Sequence, residues 1–154
     1  MASTRGSPEL SFPALLNAAH RRTTVAMQAV LARSGFGDLP VTGFRVVVVL
    51  ARVPSRIGEL ANRLEVSKQG ASRVVELLVQ RGYCERVADP EDRRSGLVVL
   101  TRRGRRAVAA LRDAVEEIEQ ALDRAVDEGS VAVARRVLEA LCEMGAGESV
   151  GRAQ

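Results

Sequence analysis

The chain has 154 residues, 46% of them hydrophobic and 27% charged, which fits one folded domain or two small lobes and excludes a large multidomain enzyme and pervasive disorder. Its longest wholly apolar run, Val46 to Ala51, is six residues against the ~20 that a membrane span needs, and Met1 to Leu10 has no apolar signal core, so a cytoplasmic protein is expected. The net charge of +4 is unevenly spread. Residues 52–106 carry 13 Lys or Arg against 7 acidic residues, while residues 107–154 carry 5 against 10. A basic middle attracts polyanions by Coulomb force and by release of condensed counterions. A merely solvated arginine-rich surface is the alternative, since Lys68 is the only lysine.

Catalytic chemistry has little to work with. His20 is the single histidine, and no serine or cysteine lies in a nucleophile motif. Cys84 and Cys142 are far apart and form no metal-ligand spacing, so neither a metal, a cofactor nor a disulfide scaffold is expected.

In chain order, Ser11 can cap a first helix in which Leu15, Leu16, Ala19, Thr23, Met27, Val30 and Leu31 recur at three-to-four spacing, ending near Ser34-Gly35-Phe36-Gly37. After Pro40, Thr42 is a plausible cap. The run Val46-Val47-Val48-Val49 is β-branched, however, and suits a buried strand by propensity, so local sequence leaves this element open. Ile57, Leu60, Ala61 and Leu64 give two helical turns with one apolar face. Glu65-Val66 then leads to Ser67, a good N-cap. Beyond it Ala71, Val74, Val75, Leu78 and Val79 fall on one side, and Lys68, Gln69, Ser72, Arg73, Glu76 and Gln80 elsewhere, until Arg81-Gly82 stops the helix. Two short helices with a tight connection and a polar, basic N-terminal face on the second form a helix-turn-helix.

Cys84 to Val87 and Leu97 to Leu100 read as strands of a hairpin with a charged tip. Thr101 caps a helix with Val108, Leu111, Val115, Ile118, Leu122 and Ala125 at heptad spacing. Ser130 starts a last helix, with Ala134, Val137, Leu138, Leu141 and Cys142 on one side, ending at Gly145. Residues 148–154 are expected to be a flexible tail. The heptad stripe can pack against its own chain, but two long terminal helices on a small lobe carry more apolar surface than one chain covers, which favours dimerisation.

The ordered set Glu59-Leu60-Ala61, Ser67-Lys68-Gln69-Gly70-Ala71-Ser72-Arg73, Arg81-Gly82-Tyr83, Asp89-Pro90-Glu91-Asp92-Arg93-Arg94 and Leu100-Thr101-Arg102-Arg103-Gly104 resembles the multiple antibiotic resistance regulator (MarR) family of winged helix-turn-helix transcription factors. The resemblance implies a mainly α fold with long N- and C-terminal helices, and makes the valine-rich element a helix. Residues 1–36 and 102–147 would form a helical dimerisation lobe and residues 40–101 a DNA-binding lobe. Leu15, Leu16, Val115, Ile118, Leu122, Val137, Leu138 and Leu141 are the expected dimer contacts. Ser67, Lys68, Gln69, Gly70, Ser72 and Arg73 would face the major groove of double-stranded DNA. Arg93 and Arg94 would reach the minor groove from the hairpin tip, with Asp92 buttressing Arg94.

That assignment is chemically sensible. A helix N-terminus holds phosphate, Gln pairs with adenine, Arg with guanine, and arginine favours a narrow minor groove. The expected protein is a homodimeric regulator, a repressor, on a pseudo-palindromic operator. The family also implies a small-molecule effector pocket between the lobes, for which His20, Met27 and Phe44 are candidate lining residues. Two alternatives stand beside this. One is a winged-helix module for a protein partner, since Glu76, Glu85, Glu91 and Asp92 dilute the positive field. The other is a redox-responsive regulator using Cys84 or Cys142, although no cysteine lies in the first helix, where some relatives carry a reactive one.

Overall fold

A computed structural model describes residues 11–89, 96–127 and 129–147. The first apolar pattern forms α1 (Phe12–Arg33), with Pro13 in the first turn, where a missing N–H costs no hydrogen bond. Ser11 is its N-cap by position, but its side chain makes no capping bond. At the far end the Phe36 N–H turns back to the Leu31 carbonyl at 2.8 Å, closing the helix where the sequence punctuation placed the stop.

The four valines lie in α2 (Val41–Leu50), a helix, with Pro40 rather than Thr42 at its N-cap. Burial decides this element. Each β-branched residue costs about 0.5 kcal/mol in helix propensity. Val46 and Val47, at 1% and 0% exposure, each gain roughly 1.5–3 kcal/mol from being withdrawn from water. Thr42 is a first-turn residue instead of a cap because Pro40 supplies the extended backbone that precedes the helix.

Next come α3 (Ile57–Leu64) and α4 (Lys68–Gln80), joined by a turn in which Glu65 takes the left-handed conformation, φ 56°, and the Val66 N–H returns to Ala61 at 3.0 Å. Ser67 caps α4, its Oγ accepting the Gly70 N–H at 3.0 Å. Ala71, Val75 and Leu78 form the buried face of α4. Gly82, φ 73°, reverses the chain after Arg81 as only glycine does without strain.

The strands β1 (Cys84–Ala88) and β2 (Gly96–Leu100) pair antiparallel from Cys84↔Leu100 to Ala88↔Gly96. Ser55 adds one bridge on the other side of β2, to Val98. Thr101 caps α5 (Arg102–Ala125), its Oγ1 accepting the Gly104 N–H at 3.1 Å. Last is α6 (Ser130–Gly147), which runs two residues past Gly145, the expected end.

The chain falls into two compact units divided between Val115 and Glu116. The first holds a single core built from Leu31, Phe36, Leu39, Phe44, Val47, Leu60, Val75, Leu78, Tyr83, Val98 and Leu111. The heptad stripe of α5 is split by this arrangement. Val108 and Leu111 belong to that core, as the intrachain alternative required, whereas Val115 and Leu122 are exposed. In the second unit the Arg135 guanidinium meets Glu119 at 2.8 Å, and Val133, Val137, Leu138, Leu141 and Met144 remain exposed. The architecture is a mainly α winged helix-turn-helix with long terminal helices.

Candidate nucleic-acid interface

The start of α4 is the best-defined polar feature of the first unit. The Ser67 cap fixes its first turn, and Lys68, Gln69 and Arg73 project from it into solvent. Gly70 and Ser72 are half-buried. The Ser72 hydroxyl donates to Glu76 Oε1 at 3.0 Å, one turn on. Glu76 also faces the Arg86 guanidinium of β1 at 3.8 Å, so an acidic residue sits between helix and hairpin. Asp92, Arg93 and Arg94 lie outside the described residues.

Between the starts of α3 and α4 and the hairpin lies a cleft of about 470 Å³ whose cations are Arg56, Lys68 and Arg86. One ion pair in its wall escaped sequence reasoning. Arg56 donates to Asp89 at 2.7 Å from Nε and at 2.5 Å from its terminal nitrogen. The partners are 33 residues apart, and the sole hint was the Asp-Pro pair that opens the hairpin tip. A second, mostly apolar cleft of about 310 Å³ separates α2 from α4, lined by Thr42, Arg45, Val46, Leu64, Ala71 and Val74 among others.

At the opposite end of α4, three elements meet on Asp38. The Tyr83 hydroxyl donates to its carboxylate at 2.5 Å and the Arg103 guanidinium at 2.7 Å. Arg81 donates to its main-chain carbonyl, and Arg103 also lies over the Tyr83 ring, 4.7 Å from the centroid. The hydrogen bond from Tyr83, helped by the Arg103 charge, holds the Asp38 carboxyl below its ordinary value. Burial, reinforced by the Asp38 carboxylate, raises the Tyr83 phenol.

The three candidate effector residues do not share one of these clefts. Phe44 is buried in the core, Met27 packs partly buried against it, and His20 is exposed on α1. Cys84 is buried, which pushes its thiol up to about 12, and Cys142 is exposed on α6. Cys84 packs as a small hydrophobe within the core, where burial disfavours the thiolate that reacts with peroxide. Among the described residues there is no group of three or more potential metal ligands, and no helix is long and apolar enough to cross a membrane.

The model of the MarR family matches residues 38–95, which run from the loop before α2 to the hairpin. Over 108 residues the chain is 34% identical to the uncharacterized protein Mb2034c of Mycobacterium bovis, covering 70% of this chain and 73% of that one. The chain belongs to the MarR family. A second match, at 28% identity over 108 residues, is the exopolysaccharide II synthesis transcriptional activator ExpG of Rhizobium meliloti, with 70% of this chain and 56% of that one covered. Among solved structures, a probable transcriptional regulator from Pseudomonas aeruginosa aligns with a TM-score of 0.68 at 28% identity, covering 85% of this chain and 96% of that one. A MarR transcriptional regulator from Methanosarcina mazei Go1 shares the fold at a TM-score of 0.70 and 22% identity, with 86% and 94% coverage. MarR membership makes the protein a DNA-binding winged helix-turn-helix regulator.

Proposed function

We propose that the protein acts as a homodimeric, sequence-specific repressor on a pseudo-palindromic operator. The carrying observation is the solvent-facing set Lys68, Gln69 and Arg73 on a helix start held by the Ser67 cap. A capped N-terminus presents free N–H groups and partial positive charge to a backbone phosphate, and Lys68 adds a full charge there. Gln69 and Arg73 have the donor and acceptor geometry to read adenine and guanine edges, each good pair contributing roughly 1–3 kcal/mol of discrimination. Gly70 gives close backbone approach and Ser72, bonded to Glu76, faces the major groove, while Arg93 and Arg94 serve the minor groove with Asp92 buttressing Arg94.

Dimerisation is supported by apolar side chains left in water. Leu15, Leu16, Val115, Leu122, Val137, Leu138 and Leu141 are each more than a third exposed, with Ile118 half-buried in the same stripe as Val115 and Leu122. On this reading residues 1–36 and 102–147 build the dimer and residues 40–101 the DNA-reading part. A two-fold axis would then set the half-sites about 34–36 Å apart.

Selection of duplexes from a random-sequence pool by the purified protein tests the whole reading. An inverted repeat is expected, bound with a steep salt dependence. Lys68→Ala should reduce the salt slope by about one for each phosphate that the lysine neutralises, whereas Arg73→Ala should relax preference at one position of each half-site. Recovery of no sequence at low salt, or a monomer in light scattering at working concentration, refutes it. A promoter fusion with and without the gene reads the sign of regulation, and loss of signal on deletion would replace repression by the activation attributed to ExpG.

A further inference from the structure

Two consecutive residues ahead of α3 hold both strands of the hairpin. Ser55 exchanges two backbone hydrogen bonds with Val98 of β2, at 3.2 and 2.9 Å. Arg56, the N-cap residue of α3, reaches Asp89 immediately after β1 at 2.7 and 2.5 Å. The Asp89 side chain is 5% exposed against 38% for Arg56, so a carboxylate has been carried into the protein and its charge met there. A buried carboxylate that loses its partner is strongly unfavourable. Arg56 is itself fixed twice, because its main-chain N–H donates to Glu59 Oε2 at 3.0 Å in the first turn of α3. A further link between hairpin and helices, Arg86 to Glu76, is long, and both side chains are about half exposed, so it holds little.

We infer that the Arg56–Asp89 pair is a positioning device that locks the β1–β2 hairpin to the start of the helix-turn-helix, so that hairpin and α4 meet DNA as one rigid piece. This rests on the DNA-binding reading above. Asp89 is an acidic residue on a basic face, and the sign of its effect separates two roles. If it acted through charge alone, its neutralisation would make the face more positive and binding tighter. If it positions the hairpin, its neutralisation leaves a hairpin that must be ordered at the moment of binding, and affinity falls.

The test uses the full-length protein and two fluorescein-labelled duplexes. The first is the duplex selected by wild type from a random pool, and the second is that duplex trimmed of the base pairs outside the α4 half-sites. Asp89→Asn is compared with Asp89→Glu, which keeps the charge, and with Glu85→Gln, which removes the same charge from an exposed position on β1. Asp89→Asn should bind the full duplex about tenfold more weakly, the scale of re-ordering a few side chains and a short segment. Asp89→Glu should recover part of the deficit, and Glu85→Gln should bind as tightly as wild type or more so. Trimming the flanks should weaken wild type but leave Asp89→Asn little changed, since its hairpin no longer grips the flanking base pairs. A general destabilisation would not produce that last result. Where Asp89→Asn fails to fold, Arg56→Lys, which keeps the charge but not the two-nitrogen grip, is expected to shift affinity and flank sensitivity in the same directions. Binding by the folded variant as tight as wild type, or an unchanged response to trimming, overturns the inference alone. Failure of wild type to select any duplex overturns it together with the DNA-binding reading.

Discussion

Gly104 and Gly58 should respond to the same substitution with opposite signs. Gly104 is the third residue of α5, buried against the turn that leads from α4 into β1. A Cβ there would lie 2.1 Å from the Tyr83 carbonyl oxygen and 2.9 Å from Leu100 Cδ2, so the start of α5 or the Tyr83 backbone must shift by about 0.9 Å even to reach a 3.0 Å contact. Neither side yields cheaply. Tyr83 is fully buried, and its carbonyl accepts the Thr101 N–H at 3.1 Å, which a shift would break. Overpacking of backbone against backbone costs up to about 3 kcal/mol and the broken hydrogen bond about 1 kcal/mol, offset by about 1 kcal/mol from replacing glycine in a helix. Gly104→Ala should therefore lose about 3 kcal/mol, a fall in Tm of roughly 6–12 °C at 2–4 °C per kcal/mol. Gly58, the second residue of α3, has nothing within 4 Å of its added Cβ. Gly58→Ala should gain up to about 1 kcal/mol and melt a few degrees higher. Both melts are compared with wild type at one protein concentration, because self-association raises Tm by mass action. A Gly104→Ala protein that melts at or above wild type would mean that this turn and α5 are not packed as described.

Asp38 should shape the acid limb of stability. Its folded-state pKa lies below the ordinary 3.8, so its contribution is present above the unfolded value and is lost as pH falls through the folded one. Asp38→Asn should flatten the decline measured by urea unfolding as pH falls from about 5 to 2, and a decline as steep as wild type excludes the Tyr83–Arg103 contacts as its source. Ser67→Ala should cost about 1 kcal/mol, lowering the urea midpoint with an unchanged slope, and an unchanged midpoint would show that water replaces the cap. In a Cys142→Ser protein, whose remaining thiol is the buried Cys84, native iodoacetamide labelling at pH 8 should be absent and should appear on unfolding. Rapid native labelling would restore Cys84 as a redox candidate.

The features legible in the sequence were those fixed by neighbours a turn apart. Ser67 and Thr101 cap the helices they precede, the apolar spacing from Ala71 to Leu78 marks the buried face of α4, and the two strand runs pair with ends shifted by one residue. Features set by distant neighbours were not legible. The four valines are a strand by propensity and a helix by packing, a difference that only the surrounding core and the family resemblance supply. The heptad stripe gives no local sign that Val108 and Leu111 turn inward while Val115 and Leu122 do not, because a period describes one face and not what covers it. Within the candidate site, Lys68, Gln69 and Arg73 were readable from their place on α4. Arg56 and Asp89 were not, since arginine and aspartate are common and nothing local ties one to the other across 33 residues.

The valine helix has one more consequence. A row of Val46, Val47, Val48, Val49 and Leu50 is the kind of uncharged, β-prone segment that stacks into cross-β sheets when it meets another copy in solvent. The native fold holds it in a helix and buries Val46, Val47 and Leu50, leaving Val48 exposed, and the exposed Arg45 and Arg52 flank it as gatekeepers whose repulsion slows such stacking. Heat, crowding at high expression, or a weakening change elsewhere in the first unit would release the segment. Precipitation should then compete with reversible unfolding, and neutralising either flanking arginine should hasten it without altering the melting point of the native protein.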